Sequence, residues 1–196
     1  MSSKERPKRI DIAAESACEA LESILGITDY ELIELLTLTP VSCADVASLA
    51  HAAHERGALL AVDATLADPG AAAPLTLGAD IVVRQTGSGS FALKGSLAPF
   101  AEGAPEQIPA PSQAWRASSD VALAFASYLA CHPKVGEVRY PGLKSDPSFE
   151  TAARTLIGGF GPYLSVFAGG EWTTADVRGA TLAELIARYE QTRLLG

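Results

Sequence analysis

The sequence H-A-A-H-E at residues 51–55 places two imidazoles and a carboxylate within little more than one helical turn. Imidazole and carboxylate groups are zinc ligands, so this spacing could hold a metal ion on one face of a helix. The order differs from the H-E-x-x-H of a zinc protease, in which the glutamate lies between the histidines. We therefore expect His51 and His54 to form an exposed pair rather than a metal site.

Glycine alternates with hydroxyl residues in T-G-S-G-S at residues 86–90. Backbone N–H groups in such a segment can cradle a phosphate, but the lysine and the spacing of a P-loop are missing. Ser88 is also a poor nucleophile candidate, because no helical pattern follows it as in a Gly-x-Ser-x-Gly elbow. We expect a flexible loop here.

The composition describes a globular chain of 196 residues with 48% hydrophobic content. A net charge of -8, with basic residues scattered along the chain, argues against a nucleic-acid partner. The basic start is followed by acidic interruptions, and no apolar run reaches 18 residues, so we expect neither a signal peptide nor a membrane span. The cysteines Cys18, Cys43 and Cys131 have no paired spacing and are expected to be buried small side chains. We expect a soluble cytoplasmic protein.

The spacing of apolar residues predicts the elements of the first half. They are an amphipathic helix over 11–25, a short strand over 31–39, a helix from Ser42 as N-cap to Arg56, and strands over 58–62 and 79–83. The last two are continuous apolar runs, which is typical of a parallel sheet covered on both faces. Ligands of open α/β sheets bind beyond the carboxyl ends of strands, which makes Asp63 a candidate site residue.

Proline and glycine mark residues 99–112 as a linker. Beyond it the pattern predicts helices over 118–129, 149–156 and 182–194, with strands over 135–140 and 163–167. The second half is therefore expected to be α+β.

Three stretches in order resemble the pyridoxal-phosphate enzymes of cysteine and methionine metabolism, the cystathionine synthase and lyase family. The first is DVASLAHAAHERGALLAVDATLADP at 45–69, and the second is PLTLGADIVV at 74–83. The third combines HPKVGEVRYPGL at 132–143 with GGFGPYLSV at 158–166. The similarity covers residues 31–168 with a gap, and the order and spacing of the stretches make it specific.

This resemblance implies an α/β fold, an abbreviated type I aminotransferase-like parallel sheet core with a small α+β C-terminal domain. We expect residues 1–105 to form a partial large domain and residues 106–196 the small one. The implied cofactor is pyridoxal phosphate. Asp63 matches the carboxylate that keeps the cofactor's pyridine nitrogen protonated, and Thr86 and Ser88 fall in the segment that holds the phosphate.

The sequence departs from the family where its catalytic lysine should stand. Counting without gaps puts Ser88 at that position, and a hydroxyl cannot form an imine. Lys94, six residues later, could serve only if the loop were rebuilt. The family's glycine-rich phosphate turn has no counterpart here, and Arg178, the only candidate for a substrate carboxylate clamp, is a weak match. We expect no covalently bound cofactor.

Two hypotheses about function follow from the resemblance. The first is a degenerate, non-catalytic member with a scaffold, assembly or regulatory role, as a homo-oligomer or with a full-length relative. The second is an active carbon–sulfur lyase or transsulfuration enzyme that uses Lys94 or is completed by a partner chain. The missing lysine favours the first.

Overall fold

The computed structural model describes residues 9–26, 29–96, 100 and 108–194. The chain divides into two compact units. Unit 1 comprises residues 1–35 and 45–109, and unit 2 comprises residues 36–44 and 110–196.

In the described residues, the first half of the chain has seven strands and two α-helices, and the second half has three of each. Of the predicted linker over 99–112, only residues 100 and 108–112 are described. Before that segment the elements are β1 (Ile10–Ala13), α1 (Ala17–Leu25), β2 (Tyr30–Glu34), β3 (Leu36–Leu38), β4 (Val41–Cys43), α2 (Val46–Glu55), β5 (Leu59–Asp63), a 3₁₀ turn (Pro74–Leu77), β6 (Ile81–Gly87) and β7 (Ser90–Gly95). Beyond it they are α3 (Gln113–Ala130), β8 (Glu137–Arg139), α4 (Phe149–Thr155), β9 (Tyr163–Ala168), β10 (Glu171–Asp176) and α5 (Leu182–Leu194).

Unit 1 is built on a five-stranded sheet in the order β1-β7-β6-β5-β2. Strand β5 pairs in parallel with both β2 and β6, whereas β7 is antiparallel to its two neighbours. Four strands therefore run in one direction and only β7 opposes them. The prediction that the apolar runs at 58–62 and 79–83 are neighbouring strands of a mostly parallel sheet is confirmed.

One face of this sheet packs against α1. Its core consists of alternate strand residues together with small and apolar residues of the helix: Ala61, Ile81, Val83, Phe91, Leu93, Ala17, Ala20 and Leu21. The prediction of one helix over 11–25 is wrong at its start. Residues Ile10 to Ala13 pair with β7 as a strand, and the helix begins after Ser16, whose side chain accepts a hydrogen bond from Glu19 N.

Helix α2 begins one turn later than the sequence indicated. Ser42, the predicted N-cap, lies in β4, and the cap is Asp45, whose side chain accepts from Ser48 N at 3.1 Å. The helix ends just before Gly57, whose φ of 76° is the left-handed conformation that glycine adopts readily at a helix end.

The predicted strand over 31–39 is in fact two strands in different units. Strand β2 stays in the large sheet, while β3 and β4 form a hairpin that belongs to unit 2. The buried hydroxyl of Ser165 in β9 holds this hairpin, because it accepts from Val41 N and donates to Leu38 O, each at 3.0 Å. Apolar spacing could not reveal this long-range contact.

Unit 2 is α+β, as expected. Its antiparallel sheet has the order β10-β9-β8, and α3 and α5 contribute to its core. That core includes Phe125, Leu129, Leu164, Val166 and Leu185. The three predicted helices are present, whereas β10, which is mostly exposed, carries no buried-strand pattern and was not predicted.

Candidate functional site

Asp63 is the last residue of β5, at the carboxyl edge of the unit 1 sheet. Its carboxylate oxygen Oδ1 accepts a hydrogen bond from Thr65 N at 2.8 Å, and its carbonyl accepts from Leu35 N at 2.9 Å. The Asp63 side chain is half-buried, and its hydrogen bond to Thr65 N stabilises the turn that follows the strand. The structure therefore gives this carboxylate a local role at the edge where ligands of α/β sheets bind.

Arg84 anchors the loop that follows Asp63. One guanidinium nitrogen donates to the carbonyls of Ala64 and Ala67 at 2.6 and 2.7 Å. Gln85 N donates to the hydroxyl of Thr65 at 2.9 Å. Sequence reasoning missed this role of Arg84, although a charged residue directly after a buried apolar strand was a signal for it.

The segment expected to be a flexible loop is a β-hairpin. Strand β6 continues past Arg84 to Gly87, and β7 starts at Ser90 and pairs back along it. Ser88 is exposed in the connecting turn, where Gly89 adopts a φ of 66°. Thr86 is also exposed, and its hydroxyl donates across the hairpin to Ser90 O at 3.3 Å. The residue at the family's lysine position thus lies at a hairpin tip.

Lys94 lies near the end of β7, an inner strand between β1 and β6. It pairs with Val82, and the preceding Leu93 pairs with Val83, which in turn pairs with Asp63. Paired residues of neighbouring strands share a face, and successive residues of one strand alternate between faces. Asp63 accordingly belongs to the face of Val83 and Leu93, where α1 packs, and Lys94 belongs to the opposite face.

The described residues do not fit pyridoxal phosphate held by a Schiff base. That arrangement needs a lysine amine and the carboxylate that partners the pyridine nitrogen on the same bound molecule. Lys94 is the only lysine in the described part of unit 1, and it leaves the sheet on the face opposite Asp63. Thr86 is three residues beyond Val83, about 10 Å along β6, and it lines a cavity together with Val82 and Lys94, on the face opposite Asp63.

Arg178, the weak candidate for a carboxylate clamp, lies in unit 2 and binds a carboxylate of its own chain. Its guanidinium donates to both oxygens of Asp176 and lies 5.4 Å from the centre of the Tyr163 ring. Burial pushes the pKa of Asp176 upward, but the hydrogen bonds from Arg178 outweigh it and leave that pKa below its ordinary value. Arg178 is therefore already paired with Asp176 at the surface, where 63% of the Arg178 side chain is exposed.

The two histidines of α2 are held by different carboxylates. His51 lies 3.3 Å from Glu55, and His54 lies 2.7 Å from Asp80, whose same oxygen accepts from Leu60 N. Within the residues that the structure describes, no three histidine, cysteine or carboxylate side chains come together as a metal site would require. His54 and Asp80 instead connect α2 to the sheet.

Two further expectations concern burial and membranes. Cys43 is buried as predicted, but Cys18 and Cys131 are exposed, so the prediction was wrong for these two. Cys18 lies on the exposed side of α1, and Cys131 is the C-cap residue of α3. No helix in the described ranges is long and apolar enough to cross a membrane.

Comparison with known proteins identifies the family. The family model for Cys/Met metabolism PLP-dependent enzymes matches residues 9–88 and 115–184, well over half of the 196 residues. This chain belongs to that family. The match stops at Ser88, the position of the missing lysine, and the unmatched part contains β7 and Lys94.

Curated members of the Cys/Met metabolism PLP-dependent enzyme family are similar over most of this chain. A cystathionine gamma-synthase of Mycobacterium tuberculosis is 34% identical over 161 residues, covering 68% of this chain and 41% of that protein. A probable cystathionine gamma-synthase of Herpetosiphon aurantiacus is 31% identical over 188 residues, covering 82% and 58%. The chain thus spans about half the length of the curated relatives it matches.

Two solved structures of lyases share the fold. Apo CalE6, a methionine gamma lyase from Micromonospora echinospora, superposes with a TM-score of 0.59 at 25% identity, over 71% of this chain and 46% of that one. A cystathionine gamma-lyase from Lactobacillus plantarum, complexed with L-serine, gives a TM-score of 0.56 at 21% identity. The α/β fold class predicted from the resemblance is confirmed.

Proposed function

We propose that this chain is a non-catalytic member of the Cys/Met metabolism PLP-dependent enzyme family. In this proposal it keeps the family scaffold for assembly or regulation, as a homo-oligomer or bound to a full-length relative. One observation carries the proposal: Asp63 and the nearby lysine, Lys94, belong to opposite faces of the sheet, while an exposed Ser88 stands at the lysine position.

The energetics of cofactor retention support this function. With no amine beside it, Asp63 offers the cofactor at most one charge-assisted hydrogen bond, worth roughly 1.5–3 kcal/mol. Even millimolar affinity requires about 4 kcal/mol. Asp63 alone therefore does not retain pyridoxal phosphate, and its carboxylate already accepts from Thr65 N.

The assembly role rests on the family resemblance, because members of this family build their active sites between subunits. A chain that supplies only part of such a site can still contribute the surfaces that pack against another subunit. We expect light scattering of the purified chain to give a homodimer or larger species at micromolar concentration. A strictly monomeric species that also fails to bind a full-length relative would contradict the assembly role.

Borohydride trapping tests the loss of catalysis. The chain is incubated with pyridoxal phosphate, reduced with borohydride, digested and analysed by peptide mass spectrometry. We expect pyridoxyl modification at Lys94 no greater than at Lys144, an exposed lysine of unit 2 that serves as the control. Lys94→Ala and Lys144→Ala should lower total incorporation to the same small extent.

The opposite result would favour the active enzyme. Stoichiometric modification at Lys94, abolished in Lys94→Ala and retained in Lys144→Ala, would mean that this lysine forms the Schiff base. Release of a keto acid from cystathionine by the same preparation would then establish carbon–sulfur lyase activity and overturn the proposal.

A further inference from the structure

Strand β10 lies at the edge of the unit 2 sheet and pairs on one side with β9. Val177 N donates to Pro162 O at 3.0 Å, which continues the register of the two strands by one residue. In an antiparallel pair, residues whose backbone groups face the partner strand alternate with residues whose groups face away from it. The backbone N–H and C=O groups that point away from β9 therefore belong to Trp172, Thr174 and Asp176.

The outward-facing backbone groups of β10 have no hydrogen-bond partner among the residues that the structure describes. Such an edge is a template to which another extended chain can pair. Proline and lysine commonly block pairing at a sheet edge, and the β10 sequence EWTTAD contains neither. The edge of β10 is thus open to an added strand.

A cavity of about 670 Å³ opens on the helix-covered side of the unit 2 sheet. Its apolar lining includes Phe125 of α3, Val166 of β9 and Leu185 of α5. Thr173 and Ala175 of β10 also line it, and they share a face with Val166 because Thr173 is its cross-strand partner. The cavity therefore lies along β10 and is mostly apolar inside.

The cavity extends to the outer edge of β10. Thr174 lines it, although its side chain belongs to the other face, where its hydroxyl lies 2.9 Å from that of Ser165 and donates to Leu38 O. The backbone of Thr174 is therefore the part that meets the cavity. A chain paired with this edge would place every second side chain on the cavity side.

We propose that β10 and this cavity bind an extended polypeptide segment as an added strand, with apolar side chains at alternate positions over the cavity. In this mode of recognition the backbone hydrogen bonds give affinity and the pockets for alternate side chains give specificity. The β10 strand of a second copy fits less well, because the side chains it would present on that face, Thr173 and Ala175, are too small to fill the cavity. The site is independent of the proposed loss of catalysis.

A pair of synthetic peptides tests the site by calorimetric titration of the whole chain. Acetyl-Lys-Thr-Val-Thr-Leu-Thr-Val-Lys-amide has apolar residues at alternate positions. Acetyl-Lys-Thr-Thr-Thr-Val-Val-Leu-Lys-amide has the same composition and charge without the alternation. We expect saturable binding of the alternating peptide and about tenfold weaker binding of the control, which can direct fewer apolar side chains to the cavity.

A matched pair of variants locates the binding. Ala175→Glu places a carboxylate on the cavity side of β10 and should weaken binding of the alternating peptide about tenfold. Ala187→Glu makes the same change of charge at an exposed position of α5 outside the cavity lining, and should leave the affinity within about twofold. Equal weakening by the two variants would contradict the site.

Amide hydrogen exchange of the unaltered chain does not depend on any variant. The amides of Trp172, Thr174 and Asp176 should exchange about tenfold more slowly once the alternating peptide is bound, because they then donate to the added strand. Absence of saturable peptide binding, equal binding of the two peptides, or protection that spares these three amides would overturn the proposal. Protection of the same amides that rises with protein concentration before any peptide is added would assign the edge to a second copy and overturn it as well.

Discussion

Asp63 and Lys94 lie two strands apart in the same sheet and belong to opposite faces of it. Asp63 is in register with Val83, Val83 with Leu93, and Lys94 is the next residue along β7. A shift of one residue along a strand moves a side chain to the other face. The lysine nearest in sequence to the family's catalytic position is thereby directed to the other face of the sheet, away from the carboxylate.

Returning a lysine to its family position should not restore cofactor attachment. In Ser88→Lys the new amine would extend from an exposed hairpin turn, beyond the end of β5, rather than over the edge at Asp63. We expect borohydride trapping with pyridoxal phosphate to modify position 88 no more than the exposed Lys144. One equivalent of stable pyridoxyl adduct at position 88 would show that the hairpin can rebuild the family's lysine loop.

The role of Asp63 can be separated into acceptor and charge. Asp63→Asn keeps an oxygen for Thr65 N and should leave the free energy of unfolding within about 0.5 kcal/mol. Asp63→Ala removes that acceptor and should lower it by about 1 kcal/mol. Urea unfolding followed by circular dichroism measures both. Equal losses in the two variants would mean that the negative charge itself is required in the folded chain.

The buried hydroxyl of Ser165 should be a strong determinant of stability in unit 2. Ser165→Ala leaves Val41 N without its acceptor in a fully buried site, which should lower the free energy of unfolding by about 1–3 kcal/mol. Ser127→Ala is the matched control. Its hydroxyl donates to Leu123 O on the exposed side of α3, so a change within about 0.5 kcal/mol is expected. Similar losses in both variants would contradict the role of Ser165.

The ion pair of Asp176 and Arg178 should make part of the stability of unit 2 dependent on pH. The pKa of Asp176 is lowered in the folded chain, where hydrogen bonds from Arg178 overcome the effect of burial. The contribution of Asp176 to the free energy of unfolding is therefore complete above the ordinary carboxyl pKa of about 4. That contribution is lost as the pH falls from there through the lowered pKa of the folded chain. The stability difference between the unaltered chain and Arg178→Gln should shrink from pH 7 to pH 3.

Urea midpoints at the two pH values measure that difference, with Arg154→Gln as the control. Arg154 is exposed on α4, and its loss changes the net charge by the same amount. A difference for Arg178→Gln that stays constant between the two pH values, or one matched by Arg154→Gln, would exclude a specific ion pair with Asp176.

The local sequence determined the elements whose signals are short-range. ALLAV is a continuous apolar run and ADIVV is apolar except for Asp80, which precedes the strand. They became the adjacent parallel strands β5 and β6, because strands covered on both faces need apolar residues throughout. The helices over 149–156 and 182–194 followed from apolar spacing in the same way. The residues alone also indicated the family, the strand-end position of Asp63 and the serine at the lysine position.

Tertiary structure alone decided how those residues face one another. Nothing local distinguishes T-G-S-G-S as a hairpin turn from a flexible loop; the pairing of β6 with β7 does so, and it also sets the face of Lys94. The hairpin of β3 and β4 joined unit 2 through Ser165, more than 120 residues away in sequence. Register and long-range hydrogen bonds depend on which strands meet, and that is a property of the whole packed chain rather than of any segment.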